Sequence, residues 1–161
     1  INAYNLYYKK GGDWDLIIIG GNLKTFEEIS SSNRIIPKKI KYFSFMQPED
    51  ISKEMHKSKA FILPSIQDNW GTVLCEAANA GCFLLSSEQS GASGDLVKNG
   101  INGFTFNSKS KNSVKILEDL MTKTEKLATS PDFKKRLETS KSIASSFNSM
   151  SYKLAVESML I

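Results

Sequence analysis

AFILPSIQDNWGTVLCEAANAGCFLLSS, residues 60–87, contains a strand, a loop, a helix and a second strand. Ala60 to Leu63 is a continuous apolar run closed by Pro64. Thr72 to Ala80 is a helix-forming run with Gly81 as its stop. Phe83 to Ser86 returns to strand. Strands that are apolar throughout, rather than alternating, are covered on both faces, and a helix between them makes the pair parallel.

Working outward, the same pattern recurs. Trp14 to Ile19 (WDLIII) reads as a strand ended by Gly20-Gly21, and Leu23 to Ser31 as a helix with Leu23, Phe26 and Glu27 at i, i+3, i+4. Ile40 to Phe45 is the next strand. Pro48 then opens a helix whose first turn carries Glu49 and Asp50. Gly103 to Phe106 is the last strand. Beyond it the pattern is helical: Val114, Leu117 and Met121 line one face, and Phe133, Leu137, Ala144 and Phe147 another, with Pro131 near its start. Tyr152 to Ile161 reads as a final helix. The fold class expected is α/β, a three-layer Rossmann-like parallel sheet flanked by helices, with a helical tail over about residues 110–161. Ile1 to Lys10 has Ala3, Leu6 and Tyr7 at helical spacing, where such a domain normally opens with a strand. The expectation is therefore an N-terminally truncated excerpt, residues 1–161, whose first strand is missing.

Composition narrows the classes. An apolar fraction of 40% over 161 residues supports one packed core and excludes a disordered chain. No apolar run approaches the roughly 18 residues of a membrane span. Two cysteines, Cys75 and Cys82, make no disulfide scaffold and match no zinc spacing, so they read as small buried hydrophobes in a cytoplasmic setting. Residues 1–108 hold 11 basic and 11 acidic side chains, residues 109–161 hold 10 and 6, so the net charge of +4 sits in the last third. Lys134, Lys135 and Arg136 alternate with Asp132 and Glu138, as on a solvated helix face; peripheral contact with an anionic membrane is the other reading, and no nucleic-acid partner is expected.

In open parallel sheets, ligands bind beyond the carboxyl ends of the strands. After Leu63, three features converge. A helix starting near Gly71 leaves its first amides unpaired and suits a phosphate; Gly71 lacks a Cβ and allows close approach; Asp68 and Glu76 bracket the helix start and can accept hydrogen bonds from sugar hydroxyls. The plainer reading has Asp68 capping a helix or a turn and Glu76 in a surface ion pair. Gly91 to Asp95 either adds amides to the same site or is a connecting loop. Gly20-Gly21-Asn22 is not a dinucleotide fingerprint. His56 has no acid or serine partner implied and reads as a surface residue. Trp14 reads as core, while Trp70 suits either stacking on a ligand or packing.

The run LPSIQDNWGTVLCEAANAGCFLLSS resembles the signature of the family 4 retaining glycosyltransferases of the GT-B fold: a proline-serine after a strand, an acid, an aromatic-glycine pair, and a glutamate eight residues beyond the first acid. WDLIIIGG, KYFSFMQPEDISKEMHKSKAFILPS and GDLVKNGINGFTF extend the resemblance over nearly the whole chain. The resemblance implies the C-terminal, donor-binding half of a two-domain enzyme. Such an enzyme passes a hexose from a nucleotide-diphosphate sugar, with retention, to an acceptor glycan or lipid-linked glycan. The acceptor would be held by an absent N-terminal domain, in bacterial polysaccharide or glycoconjugate synthesis at the inner face of the membrane.

It places Asp68 as the catalytic residue near the transferred sugar and Glu76 on the ribose. Gly71, Thr72 and Val73 would lie on the sugar and pyrophosphate, Trp70 beside them, and Met46 with Gln47 at the base. No metal and no cofactor are implied. Two departures stand out. Asp68 is one methylene shorter than the usual glutamate and Trp70 replaces the usual phenylalanine; the family's diphosphate-neutralising Arg and Lys have no counterpart here, so the excerpt alone is expected to be inactive. The alternative is a non-catalytic α/β module binding a nucleotide or a partner protein.

Overall fold

The computed structural model describes residues 1–33 and 39–147. Five strands alternate with helices: α1 (Asn2–Lys9), β1 (Leu16–Ile19), α2 (Leu23–Asn33), β2 (Ile40–Phe43), α3 (Pro48–Lys57), β3 (Ala60–Leu63), α4 (Thr72–Ala80), β4 (Phe83–Ser87), α5 (Ser93–Leu96), β5 (Gly103–Phe106), α6 (Ser113–Leu127) and α7 (Phe133–Ser145). Every strand pairing is parallel, as the continuous apolar runs predict. The strands form two sheets, one of β1 and β2 and one in the order β3-β4-β5.

β4 is the centre of the larger sheet, and its residues Phe83 to Ser87 are buried throughout. Alternation sends its side chains to opposite faces. Leu84 joins Met55 of α3, Leu74, Ala77 and Ala78 of α4, Leu96 of α5 and Ala144 of α7 in one cluster. Phe83 and Leu85 join Ala3, Tyr4 and Tyr7 of α1, Met121 of α6, and Phe133 in another. Two cores, one on each face, establish the three layers. α4 turns its small face inward, with Leu74, Ala77 and Ala78 fully buried, which lets it lie close on the sheet. Gly81 takes φ +85° and closes α4, with its amide bonded to Ala78 O at 3.0 Å.

Several expectations shift. The strands expected over 14–19 and 40–45 are shorter at one end each. Trp14 lies ahead of β1 and packs on the second cluster, while Phe45 lies beyond β2 and is 72% exposed. Leu117 and Met121 face the core from α6, but Val114 is exposed at its first turn. Phe147 falls beyond the end of α7 and is exposed too. The helix expected over 152–161 lies outside the described residues. Among those described, no helix is long and apolar enough to cross a membrane.

Candidate functional site

The loops after β3 and β4 are stitched together. Asp68 N donates to Gln89 O at 3.1 Å and Gly91 N to Asp68 O at 3.1 Å, making a parallel bridge between Asp68 and Ser90. Trp70 O accepts from Ala92 N at 2.7 Å and from the buried Ser90 hydroxyl at 3.0 Å. The end of β5 is tied in by Ser108, whose amide donates to Gln89 Oε1 at 2.9 Å and whose hydroxyl reaches Ser65 O at 2.8 Å. These bonds fix the start of α4 against the carboxyl edge of the larger sheet.

At that start, Gly71 takes φ +88°, a left-handed backbone, and no side chain caps the helix. Leu74 N reaches Gly71 O at 2.8 Å, and the amides of Thr72 and Val73 donate to no acceptor among the described residues. The direction a Cβ would take from Gly71 is filled by Ser90 Oγ, Leu63 Cδ2 and Asp68 Oδ2. Protein packing as well as backbone conformation therefore requires glycine here.

Asp68 is half-buried. Its Oδ1 accepts from Trp70 N at 3.2 Å, a turn bond of the kind the plainer reading expects, and its Oδ2 has no hydrogen-bond partner among the described residues. Glu76 is exposed on α4, one turn beyond Thr72, and makes no ion pair or hydrogen bond among the described residues, contrary to the plainer reading. Trp70 is 39% exposed, just ahead of the start of α4. The loop from Gly91 gives the site less than its sequence suggests, because the amides of Gly91, Ala92 and Ser93 are taken by Asp68 O, Trp70 O and Ser90 O.

Beyond β2 and along α3 lies an open hollow of about 540 Å³, lined by Phe43, Phe45, Met46, Gln47, Asp50, Lys53, Glu54 and Lys57. Met46 and Gln47 thus lie where a ligand can enter, together with Phe45, which the sequence reading placed inside a strand. Ser44, a polar break after the apolar Tyr42-Phe43 pair, is the signal that could have released Phe45 from the strand. Lys53 and Lys57 are paired with Asp50 and Glu54 at 2.7 and 3.0 Å. Asp68 and Glu76 do not line this hollow.

Neither thiol is poised as a nucleophile. Burial pushes Cys82 up to about 11, and burial together with the Glu76 carboxylate raises Cys75. His56 is exposed, with Nδ1 against Ser52 O at 2.7 Å.

Solved structures similar to the chain include the pneumococcal O-GlcNAc transferase GtfA in complex with UDP and GlcNAc (TM-score 0.77, 19% identity, covering 99% of this chain and 32% of that one). Anabaena HepE in complex with UDP aligns with TM-score 0.75 at 19% identity over 99% of this chain and 44% of that one. The C-terminal domain of a group 1 glycosyl transferase, LpcC from Francisella tularensis, aligns with TM-score 0.72 at 18% identity over 90% of this chain and 75% of that one. The chain spans less than half the length of the first two. At these identities the likeness is one of fold, the layered parallel α/β arrangement of GT-B glycosyltransferases. No curated protein matches the chain. The family model for group 1 glycosyl transferases matches residues 1–136, and the chain belongs to that family.

Proposed function

We propose that the chain is the C-terminal, donor-binding domain of a retaining glycosyltransferase that uses a nucleotide-diphosphate sugar. The reading is carried by one observation: α4 begins with free amides at Thr72 and Val73 and no capping side chain, and the unpartnered carboxylate of Glu76 follows one turn later. The amides and the positive end of the helix dipole attract the diphosphate. Glu76 accepts hydrogen bonds from a pair of ribose hydroxyls, which a carboxylate does with both oxygens. Asp68, pinned through Oδ1, offers Oδ2 to a hydroxyl of the transferred hexose, with Trp70 and Gly71 beside it. The hollow at Met46 and Gln47 takes the base.

In this reading the acceptor, a glycan or lipid-linked glycan of bacterial surface-polymer synthesis, sits on a further N-terminal domain. The two domains close to exclude water from the reacting sugar. No metal has a role: phosphate charge is met by amides, the helix end and cationic groups outside these residues. The setting is cytoplasmic, at the inner face of the membrane, where the basic last third of the chain favours an anionic surface. Support comes from the family match and from the UDP carried by GtfA and HepE.

Isothermal titration of the chain with a panel of UDP-, GDP- and ADP-sugars tests the reading. One of them binds, and Glu76→Ala weakens it about tenfold, the scale of a charge-assisted hydrogen bond. Equal affinity in the variant removes the ribose assignment. No binding by any nucleotide favours a non-catalytic module that binds a partner protein.

A further inference from the structure

The side chain of Gln89, two residues past β4, gathers the ends of three strands. Its Oε1 lies 2.9 Å from Ser108 N, 2.8 Å from Ser108 Oγ and 3.0 Å from Ser87 Oγ. A carbonyl oxygen has two lone pairs, and each hydroxyl has one proton. Ser108 Oγ directs its proton to Ser65 O, 2.8 Å away. The Ser108 amide and the Ser87 hydroxyl then fill Oε1, and Ser87 Oγ in turn accepts from Gln89 N at 3.1 Å. In that assignment each donor has its own acceptor. Ser65 follows β3, Ser87 closes β4 and Ser108 follows β5, so Oε1 and Ser108 together hold three strand ends at a fixed spacing.

The backbone of the same residue carries Asp68. Gln89 O takes the Asp68 amide, Gly91 N takes the Asp68 carbonyl, and the Trp70 carbonyl is held by Ala92 N and Ser90 Oγ. Residues 89–92 thus build the frame on which the Asp68 carboxylate stands, with Oδ1 turned to Trp70 N. That frame has two anchors. Ser93 Oγ donates to Ser87 O at 2.6 Å and closes the loop on itself. Gln89 Oε1 moors the loop sideways to the end of β5. The first anchor fixes the shape of the loop; the second fixes where it stands relative to the neighbouring strands.

We infer that Gln89 is a positioning residue for Asp68. Through Oε1, and without contact to the ligand, it sets the place of the Asp68 carboxylate and so governs recognition of the transferred sugar. The inference rests on the donor-site reading above. A hydrogen bond weakens steeply once its distance or angle departs from the optimum, so a small shift of the loop is felt at the Asp68–hydroxyl contact. The nucleotide half of the donor, met by the α4 amides and Glu76, depends on this mooring far less.

Titration with the UDP-, GDP- or ADP-sugar that binds the parent, and with the matching nucleoside diphosphate, gives a ratio of two affinities that tests it. Gln89→Met, of similar length but without the carbonyl, lowers affinity for the sugar nucleotide about tenfold relative to the diphosphate. Gln89→Glu keeps an acceptor for Ser108 N and restores the ratio to within about twofold of the parent. Asp68→Ala lowers the ratio likewise, and Gln89→Met adds nothing in that background. A merely structural role lowers both affinities together and leaves the ratio alone. Amide exchange separates this inference from the donor reading: Gln89→Met speeds exchange at Asp68 and Trp70 about tenfold while β4 stays protected. Overturning results are an unchanged ratio or unchanged exchange in Gln89→Met, additive effects of the two substitutions, or Gln89→Glu failing as Gln89→Met does. A parent that binds none of the panel overturns the donor reading and the sugar role with it, a result read in the parent before any variant is made.

Discussion

Glu76 and Gly71, five residues apart, respond in opposite ways to substitution. Glu76 is exposed and touches no partner among the described residues, so Glu76→Ala leaves unfolding free energy within about 0.5 kcal/mol of the parent in urea titration. Its effect is confined to ligand affinity. Gly71 is buried at φ +88°, with Ser90 Oγ where a methyl group would go, so Gly71→Ala destabilises by about 1–3 kcal/mol in the same titration. Asp68 stands between these cases. Asp68→Asn keeps an oxygen for Trp70 N and preserves the turn, whereas Asp68→Ala loses that bond, at about 1 kcal/mol. A comparison of the two separates the turn from any effect of charge on sugar binding. What spacing reveals is that two acids flank a helix start; it says nothing of which oxygen is occupied. The Asp68 turn bond and the filled space at Gly71 depend on Ser90 and Trp70, brought together by the β4 loop, and that contact has no local signature in sequence.

Elements were legible where one physical rule dominates. The βαβ unit over β3, α4 and β4 follows from apolar continuity and a glycine stop, and each of its ends falls within a residue of expectation. β2 is shorter than expected because Phe45 is apolar without being buried, a distinction that composition alone does not carry. α6 conceals a charge in a similar way. Glu118 is 1% exposed, bonded to Lys10 Nζ just past the end of α1 at 2.6 Å, Lys115 Nζ at 2.7 Å and Thr122 Oγ1 at 3.2 Å. Burial alone would raise its carboxyl, but those donors override burial and hold it at about 2, against an ordinary 4.5. A depressed folded-state value contributes stability above the unfolded value and loses it as pH falls. Thermal midpoints should therefore drop between about pH 4.5 and pH 2, and Glu118→Gln should flatten that part of the profile. Leu74→Ala, which opens a cavity at the α4–sheet contact, is expected to cost about 2–5 kcal/mol by chemical denaturation.

For the molecule as a whole, layering follows from β4: Leu84 looks to one core, Phe83 and Leu85 to the other, and helices cover both. That arrangement turns the loops after β3 and β4 toward one edge, where the amides of Thr72 and Val73 and the Asp68 carboxylate are presented, while the hollow at Met46 lies beyond β2 of the other sheet. The account depends on these parts receiving one ligand. Backbone amide shifts followed by NMR as a nucleotide-diphosphate sugar is added give the most direct measurement. The account predicts saturable shifts at Thr72 and Val73 together with Met46 and Gln47, with the midpoint moved to about tenfold higher ligand concentration in Glu76→Ala. Shifts that leave the first turn of α4 untouched while the ligand binds elsewhere would contradict it.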